Sequence, residues 1–550
     1  MSSRWHRNAP DGCASTSAAW TGSSWRSDPP GAAPGTGPCP QRAVIRCPYN
    51  RPVPAETSAS LDPDDLATTL RVLAQLHELD QEHPDFVSVR RATAHMFKAV
   101  KQARRRELRE AELAADRAVI AATATGAPDR IDDETRGRDL TSPTTGAATA
   151  GTLVNSQACY ICKQHYTQVD WFYHQLCPSC AAFSHAKRTA RTDLTGKRAL
   201  LTGGRAKIGM HIALRLLRDG ADLTITTRFP RDAVRRFSQL PDAPEWLHRL
   251  RVVGIDLRDP AQVIGLADSV ASRGPLHVLI NNAAQTVRRS PGAYSLLAEA
   301  ESHPLPDGPL PELETFGHTA DPHPQALQAS VAAHPLLSSA NVHGTVAELV
   351  GAAALTADDL ASAAMAAGSS SLERHHDGTA IDAGGLVPDV QRVNTWTRAV
   401  GGIDPLELLE VQLCNTTAPF ILIDRLRPSL AAAGRSYVVN VSAMEGVFGR
   451  RYKGAGHPHT NMAKAALNML TRTSAQELFD TDNILMTSVD TGWITDERPH
   501  YTKVRLAEEG FHAPLDLVDG AARVYDPIVR GEAGEDLQGV FLKDYVPSAW

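Results

Sequence analysis

The stretch from Lys197 to Pro230, "KRALLTGGRAKIGMHIALRLLRDGADLTITTRFP", constrains the fold more than any other part of the chain. An apolar run, "ALLTG", enters a glycine-containing turn, and apolar residues at helical spacing follow. A second apolar run, "DLTITTR", arrives about twenty residues later. Strand, turn, helix and strand in that order make a βαβ unit, whose helix N-terminus presents N–H groups and a positive dipole end to a pyrophosphate. Further apolar runs recur: "VVGIDLRD" with Asp256, "PLHVLINNAAQ" with Asn281 and Asn282, "RSYVVNVSAMEG" and "NILMTSVDTGWIT". The expected fold class is α/β, a Rossmann-type doubly wound parallel sheet.

At 550 residues the chain exceeds one ordinary core. Residues 1–60, rich in Ser, Ala, Pro and Gly without periodicity, read as a disordered leader. Residues 61–125 carry helical periodicity broken near "EHPDF", with charges of both signs in "KQARRRELREAE". That pattern reads as a solvated helix or coiled-coil arm rather than a nucleic-acid patch. Residues 126–155 read as a linker, and residues 156–187 as a metal knuckle. There fourteen residues separate Cys159 and Cys162 from Cys177 and Cys180, a spacing that lets four thiolates converge on a structural zinc ion. Such a module is expected to dock protein, nucleic acid or the neighbouring domain. A net charge of −6 gives no global argument for nucleic acid or membrane. With no uninterrupted apolar span or signal pattern, a soluble cytoplasmic protein is the expectation.

Taken together the motifs of residues 193–550 resemble those of the short-chain dehydrogenases/reductases, over roughly 193–290 and 391–550. Thr202, Gly203, Gly204, Arg205, Lys207, Ile208 and Gly209 resemble the family's glycine turn. Asp256 with Leu257 is similar to its adenine-contacting aspartate, and Asn282-Ala283 to its Asn-Asn-Ala-Gly motif. Asn415 resembles the active-site asparagine, Lys464 the catalytic and ribose-binding lysine, and Gly492 through Thr495 the segment after the sixth strand. The resemblance implies hydride transfer between a nicotinamide cofactor and the carbonyl or alcohol group of a small-molecule substrate. It also implies a homo-oligomer. The second strand ends in Thr226-Thr227-Arg228 without a carboxylate, so Arg228 favours NADP over NAD.

Three departures stand out. Lys207 occupies the second glycine position, where a side chain obstructs the backbone, reaches a phosphate or points to solvent. The catalytic serine and tyrosine positions hold Ala443 and Thr460. An aliphatic hydroxyl is far more basic than a phenol, so His457, His459 and Tyr452 are the candidate replacements for the proton-transfer group. The alternative is a catalytically degenerate cofactor-binding protein acting through its zinc and helical modules. Finally, residues 291–390 read as an insertion with helical pieces such as "TADDLASAAMAA", entering beside the substrate side of the sheet.

Overall fold

The structure is a computed structural model and describes residues 61–128, 130, 140, 142–289, 291–316, 382, 384–386, 393–450, 453–495 and 497–550. The leader over 1–60 and the piece "TADDLASAAMAA" lie outside the described residues. The chain divides into two compact units, Met1–Met96 and Phe97–Trp550.

In the first unit, α1 (Pro63–Gln75) starts on Asp62, whose carboxylate accepts hydrogen bonds from the Asp64 and Asp65 amides. Those amides lack intrahelical partners, so the cap supplies them. A 3₁₀ turn, Leu76–Glu78, ends this helix, and Pro84 opens α2 (Pro84–Ala121). The second unit is built on nine strands: β3 (Arg198–Leu201), β4 (Asp222–Thr227), β5 (Leu250–Gly254), β6 (Val278–Asn281), β7 (Glu312–Thr315), β8 (Ser436–Ser442), β9 (Ile484–Asp490), β10 (Phe541–Lys543) and β11 (Val546–Ser548). Their order is β11-β10-β9-β8-β6-β3-β4-β5-β7, and every neighbour pair is parallel except β10 with β11.

Helices cover both faces, which is why β8 and β9 are buried at every residue and read as continuous apolar runs rather than alternating ones. After the short α3 (Pro178–Thr189) come α4 (Lys207–Arg218), α5 (Pro230–Ser238), α6 (Ala243–Trp246), α7 (Pro260–Ala271) and α8 (Ser295–Ser302). They are followed by α9 (Pro405–Gln412), α10 (Ala418–Ala431), α11 (Pro458–Asp482), α12 (His500–Glu508) and α13 (Leu517–Glu532). Ile212, Phe237, Val524 and Ile528 pack one face of the sheet, and Leu266, Leu422, Leu426 and Leu478 the other. Among the described residues one helical run, Pro405–Ala431, is long and apolar enough to cross a membrane by composition, but half of its most apolar window is buried in this packing.

Two sequence expectations change. The segment read as an insertion from 291 contributes β7, which pairs in parallel with β5 from Arg251↔Glu312 to Gly254↔Thr315. Alternating charged residues in "ELET" hide that strand, because an edge strand needs little apolar surface. The segment read as a linker from 126 to 155 is also partly built in. Gly126 is buried, and Arg130 donates to the carbonyls of Ala513 and Leu515 at 2.6 Å each. Residues 151–155 already belong to β1 (Gly151–Ala158), which pairs antiparallel with β2 (His165–Val169).

Candidate functional site

A cleft of about 400 Å³ opens where β3, β4, β5 and β6 end. Its floor is the glycine turn. Gly203 sits at φ +71°, and a methyl group on Gly209 would run into the Gly203 carbonyl and the Asn282 amide, so both positions require glycine. A methyl on Gly204 would meet Ile225 at 2.5 Å. Asn282 donates from its side chain to the Thr202 carbonyl at 2.9 Å, and the Thr202 hydroxyl accepts from the Asn282 and Ala283 amides. The two motifs therefore brace each other beneath the cleft. Gly203, Arg205, Lys207, Ile208, Gly209, Arg228, Asp256, Leu257, Asn282 and Ala283 all line it, whereas Thr202 is buried behind it.

Lys207 resolves differently from the sequence alternatives. Its backbone takes the left-handed conformation, φ +53°, that glycine adopts freely. Its ammonium lies 3.1 Å from the Asp382 carboxylate, while Arg205 donates to the Gly384 carbonyl at 2.7 Å. Asp382 and Gly384, from the segment read as an insertion, are thus fastened at the turn. Arg228 lies over the Tyr294 ring at 5.2 Å and donates to its hydroxyl at 3.4 Å.

Asp256 is not a lone acid. Arg258 is clamped on both its carboxylate oxygens, at 2.5 to 3.2 Å, and also donates to Glu410 at 3.0 Å. Burial pushes the Asp256 carboxyl up, but the adjoining Arg258 guanidinium outweighs that and holds it below the ordinary carboxylate range. Arg288 joins the network through Asp404 and Glu410. Sequence reasoning missed Arg258, Arg288, Glu407 and Glu410. The available signal was "ELLE", two acids three apart on an otherwise apolar helix face.

The residues expected to be catalytic lie deeper. Asn415 sits in a π-helical turn, Leu413–Thr417, between α9 and α10. Both ends of its side chain are held by the Gln285 backbone, at 2.7 and 2.9 Å. The Lys464 ammonium donates to the Val441 carbonyl at 2.7 Å, and burial lowers its pKa to about 8. His457 takes the left-handed conformation ahead of α11, stacks on Trp396 at 3.9 Å and bonds the Trp396 carbonyl. His459 and Thr460 are buried, and among the described residues neither ring nitrogen of His459 nor the Thr460 hydroxyl has a hydrogen-bond partner. Glu407 stands 3.8 Å from His459. Lys464, His459, Thr460, Gly492 and Thr495 are not among the residues lining the cleft. Tyr452 lies outside the described residues.

The four knuckle cysteines converge as their spacing indicates. Cys159 and Cys162 occupy the turn between β1 and β2, Cys177 precedes α3, and Cys180 lies in its first turn. Their sulfurs lie within 4.8 Å of one another. Tetrahedral thiolates bound at about 2.3 Å to one zinc ion would stand roughly 3.8 Å apart, so the cluster fits a metal. The knuckle is seated on the large domain: Tyr173 donates to Asp519 at 2.5 Å, Arg188 pairs with Asp516 at 2.5 Å, and the Tyr160 hydroxyl accepts from the Trp493 amide at 3.0 Å.

The family model for short chain dehydrogenase matches residues 197–300. An uncharacterized protein of Acanthamoeba polyphaga mimivirus is 31% identical over 382 residues, covering 67% of this chain and 71% of that one. A probable oxidoreductase of Streptomyces antibioticus is 40% identical over 91 residues, 16% of this chain and 30% of that protein. Among solved structures, NADPH-bound carbonyl reductase from chicken fatty liver is a distant likeness, at 15% identity and a TM-score of 0.37, covering 65% of this chain and all of that one. The match of the glycine-turn half to the family model and the doubly wound parallel sheet agree, and the chain belongs to the short-chain dehydrogenase/reductase family as a divergent member.

Proposed function

We propose that the protein is an NADP(H)-dependent oxidoreductase that moves a hydride between the nicotinamide ring and a carbonyl or alcohol carbon of a small substrate. The glycine turn carries this reading. Gly203 at positive φ, the bare Gly209 and the start of α4 form a cradle that side chains would fill, and the cleft above it extends to Arg228. Amides of the turn and of the first turn of α4 would hold the pyrophosphate. Arg228 would pair with a 2′-phosphate, because β4 ends without the carboxylate that NAD-preferring sites use for the ribose. NAD is the alternative occupant of the same cleft. When bound, the nicotinamide supplies or accepts the hydride.

The chain's own residues must then move a proton. Thr460 is too basic for that task. Among the described candidates we assign His459, which lies behind the cleft lining and would reach the substrate oxygen through a water rather than directly. Burial lowers its pKa, which keeps the imidazole neutral near pH 7, and Glu407 stands beside it. His457 is instead held by Trp396. The four-cysteine cluster, with all four positions filled by protein, would hold a structural zinc ion rather than a catalytic one.

A second reading, cofactor binding without turnover, is favoured by two observations. The Lys464 ammonium is already bonded to Val441, and Ala443 and Thr460 replace the usual hydroxyls. Loss of NADPH absorbance with a panel of aldehydes and ketones separates the two. Turnover that falls at least about tenfold in His459→Gln, with NADPH affinity unchanged, supports the first reading. NADPH binding with no turnover on any member of the panel supports the second. Turnover unaffected by His459→Gln removes His459 from the mechanism.

A further inference from the structure

Within the large unit, the part of α2 after Phe97 leaves large apolar side chains in water. Phe97 is 68% exposed and Leu108 63% exposed, and Val100 lies on the same face. Their positions, 97, 100 and 108, with Arg104 between, recur at three- and four-residue steps, so they form one stripe along the helix. Ala111 and Ala115 continue it. An apolar stripe edged by charges is the signature of a helix that packs against another helix, and a helix this long gains most of its stability from such packing.

The charges identify the partner. From Lys98 to Arg106 there are five bases, Lys98, Lys101, Arg104, Arg105 and Arg106, and no acid. From Glu107 to Glu112 there are three acids, Glu107, Glu110 and Glu112, against one base, Arg109, while Asp116 is buried and accepts from the Val154 and Asn155 amides. The helix is therefore electrically bipolar about its Arg106–Glu107 junction. Laid antiparallel on a second copy of itself, the basic half of each helix faces the acidic half of the other, and the two apolar stripes meet between them. A parallel arrangement would set five bases against five bases. Arg104 interrupts the stripe but fits it, since its aliphatic stem covers apolar surface while its head group reaches the rim.

We infer that residues 97–115 of α2 form an antiparallel helix pair with the same segment of a second copy of this chain. The pairing is isologous, as a two-fold dimer requires. It uses neither the cleft nor the sheet, so it stands independently of the proposed activity.

The test is the molar mass of the full chain in solution by light scattering. Phe97→Asp with Leu108→Asp is expected to halve the mass at matched concentration, whatever assembly the rest of the chain forms. Reversing one half of the helix (Lys101→Glu, Arg104→Glu, Arg105→Glu) is expected to do the same. Adding the reverse change in the other half (Glu107→Lys, Glu110→Lys, Glu112→Lys) restores complementarity and is expected to restore the larger mass, which a merely misfolded variant could not do. Arg104→Cys mixed with Leu108→Cys is expected to give a mixed disulfide under oxidation, because residue 104 faces 108 across the two-fold, and Phe97→Cys is not expected to cross-link to itself. An unchanged mass in the Phe97/Leu108 variant would overturn the inference. So would self-cross-linking of Phe97→Cys, which marks a parallel pair. Tight binding of a duplex oligonucleotide that vanishes with the basic-half reversal, while the mass stays constant, would also overturn it and assign the face to nucleic acid.

Discussion

Replacing Lys464 by methionine should alter how stability depends on pH, in a way set by the burial of its ammonium. Lys464 is 6% exposed, and burial takes its pKa from 10.5 down to about 8. That difference is worth roughly 3 kcal/mol against the folded protein when the lysine is charged in both states. Below about pH 8 the penalty is present in full. Between pH 8 and 10.5 the folded state loses the proton while the unfolded state keeps it, so stability rises with pH. Above 10.5 both states are neutral and the penalty is gone. Between pH 7 and pH 10 the wild type should therefore gain roughly 2.5 kcal/mol relative to Lys464→Met, a difference in which other titrating groups cancel. The variant also loses the hydrogen bond to the Val441 carbonyl, which costs about 1 kcal/mol at every pH and does not affect the slope. Urea unfolding of both proteins at pH 7, 8, 9 and 10 measures the difference. A difference that stays flat across this range would refute the buried, charge-penalised lysine.

Other consequences are more quickly read. Gly209→Ala places a methyl against the Gly203 carbonyl and the Asn282 amide, so it should cost about 1–3 kcal/mol of stability and abolish NADPH binding; full binding would show that the turn is not the cofactor floor. Removing zinc with a chelator should lower the melting temperature, and it should loosen the segment around Ile494 and Leu515, which share a core with the knuckle. An unchanged melting curve, or less than one zinc per chain in a reduced preparation, would contradict the assignment. Arg258→Met leaves the buried Asp256 and Glu410 carboxylates without their shared cation, and should destabilise the protein by about 3–5 kcal/mol in thermal or urea unfolding; a loss under 1 kcal/mol would mean the pair is compensated elsewhere.

The elements with strong local signals were legible in the chain. The glycine turn, its helix and the buried strands carry apolar runs and turn residues that few other folds accommodate. The four cysteines announce their convergence through spacing alone. What the sequence hid depends on long-range pairing. Strand β7 carries "ELET", a pattern without an apolar face, and acquires its identity only by lying beside β5. Arg130 looks like a linker residue until the Ala513 and Leu515 carbonyls are placed around it. The same holds at the site. Position 460 could be matched to the family tyrosine by its spacing from Lys464, but its burial without a hydrogen-bond partner among the described residues could not be read from spacing. Nor could the spacing indicate that Asp256 would be clamped by Arg258, or that Lys207 would meet a residue 175 positions later, Asp382.

Cofactor binding by the full chain bears most directly on the account. Titration followed by NADPH fluorescence, with NADH in parallel, should give tighter binding of NADPH by roughly tenfold or more, since a charge-assisted pair at the 2′-phosphate contributes about 1.5–3 kcal/mol. Arg228→Glu should erase that preference while leaving NADH affinity within a few-fold. No binding of either cofactor at millimolar concentration, or an NADPH preference that survives Arg228→Glu, would contradict it.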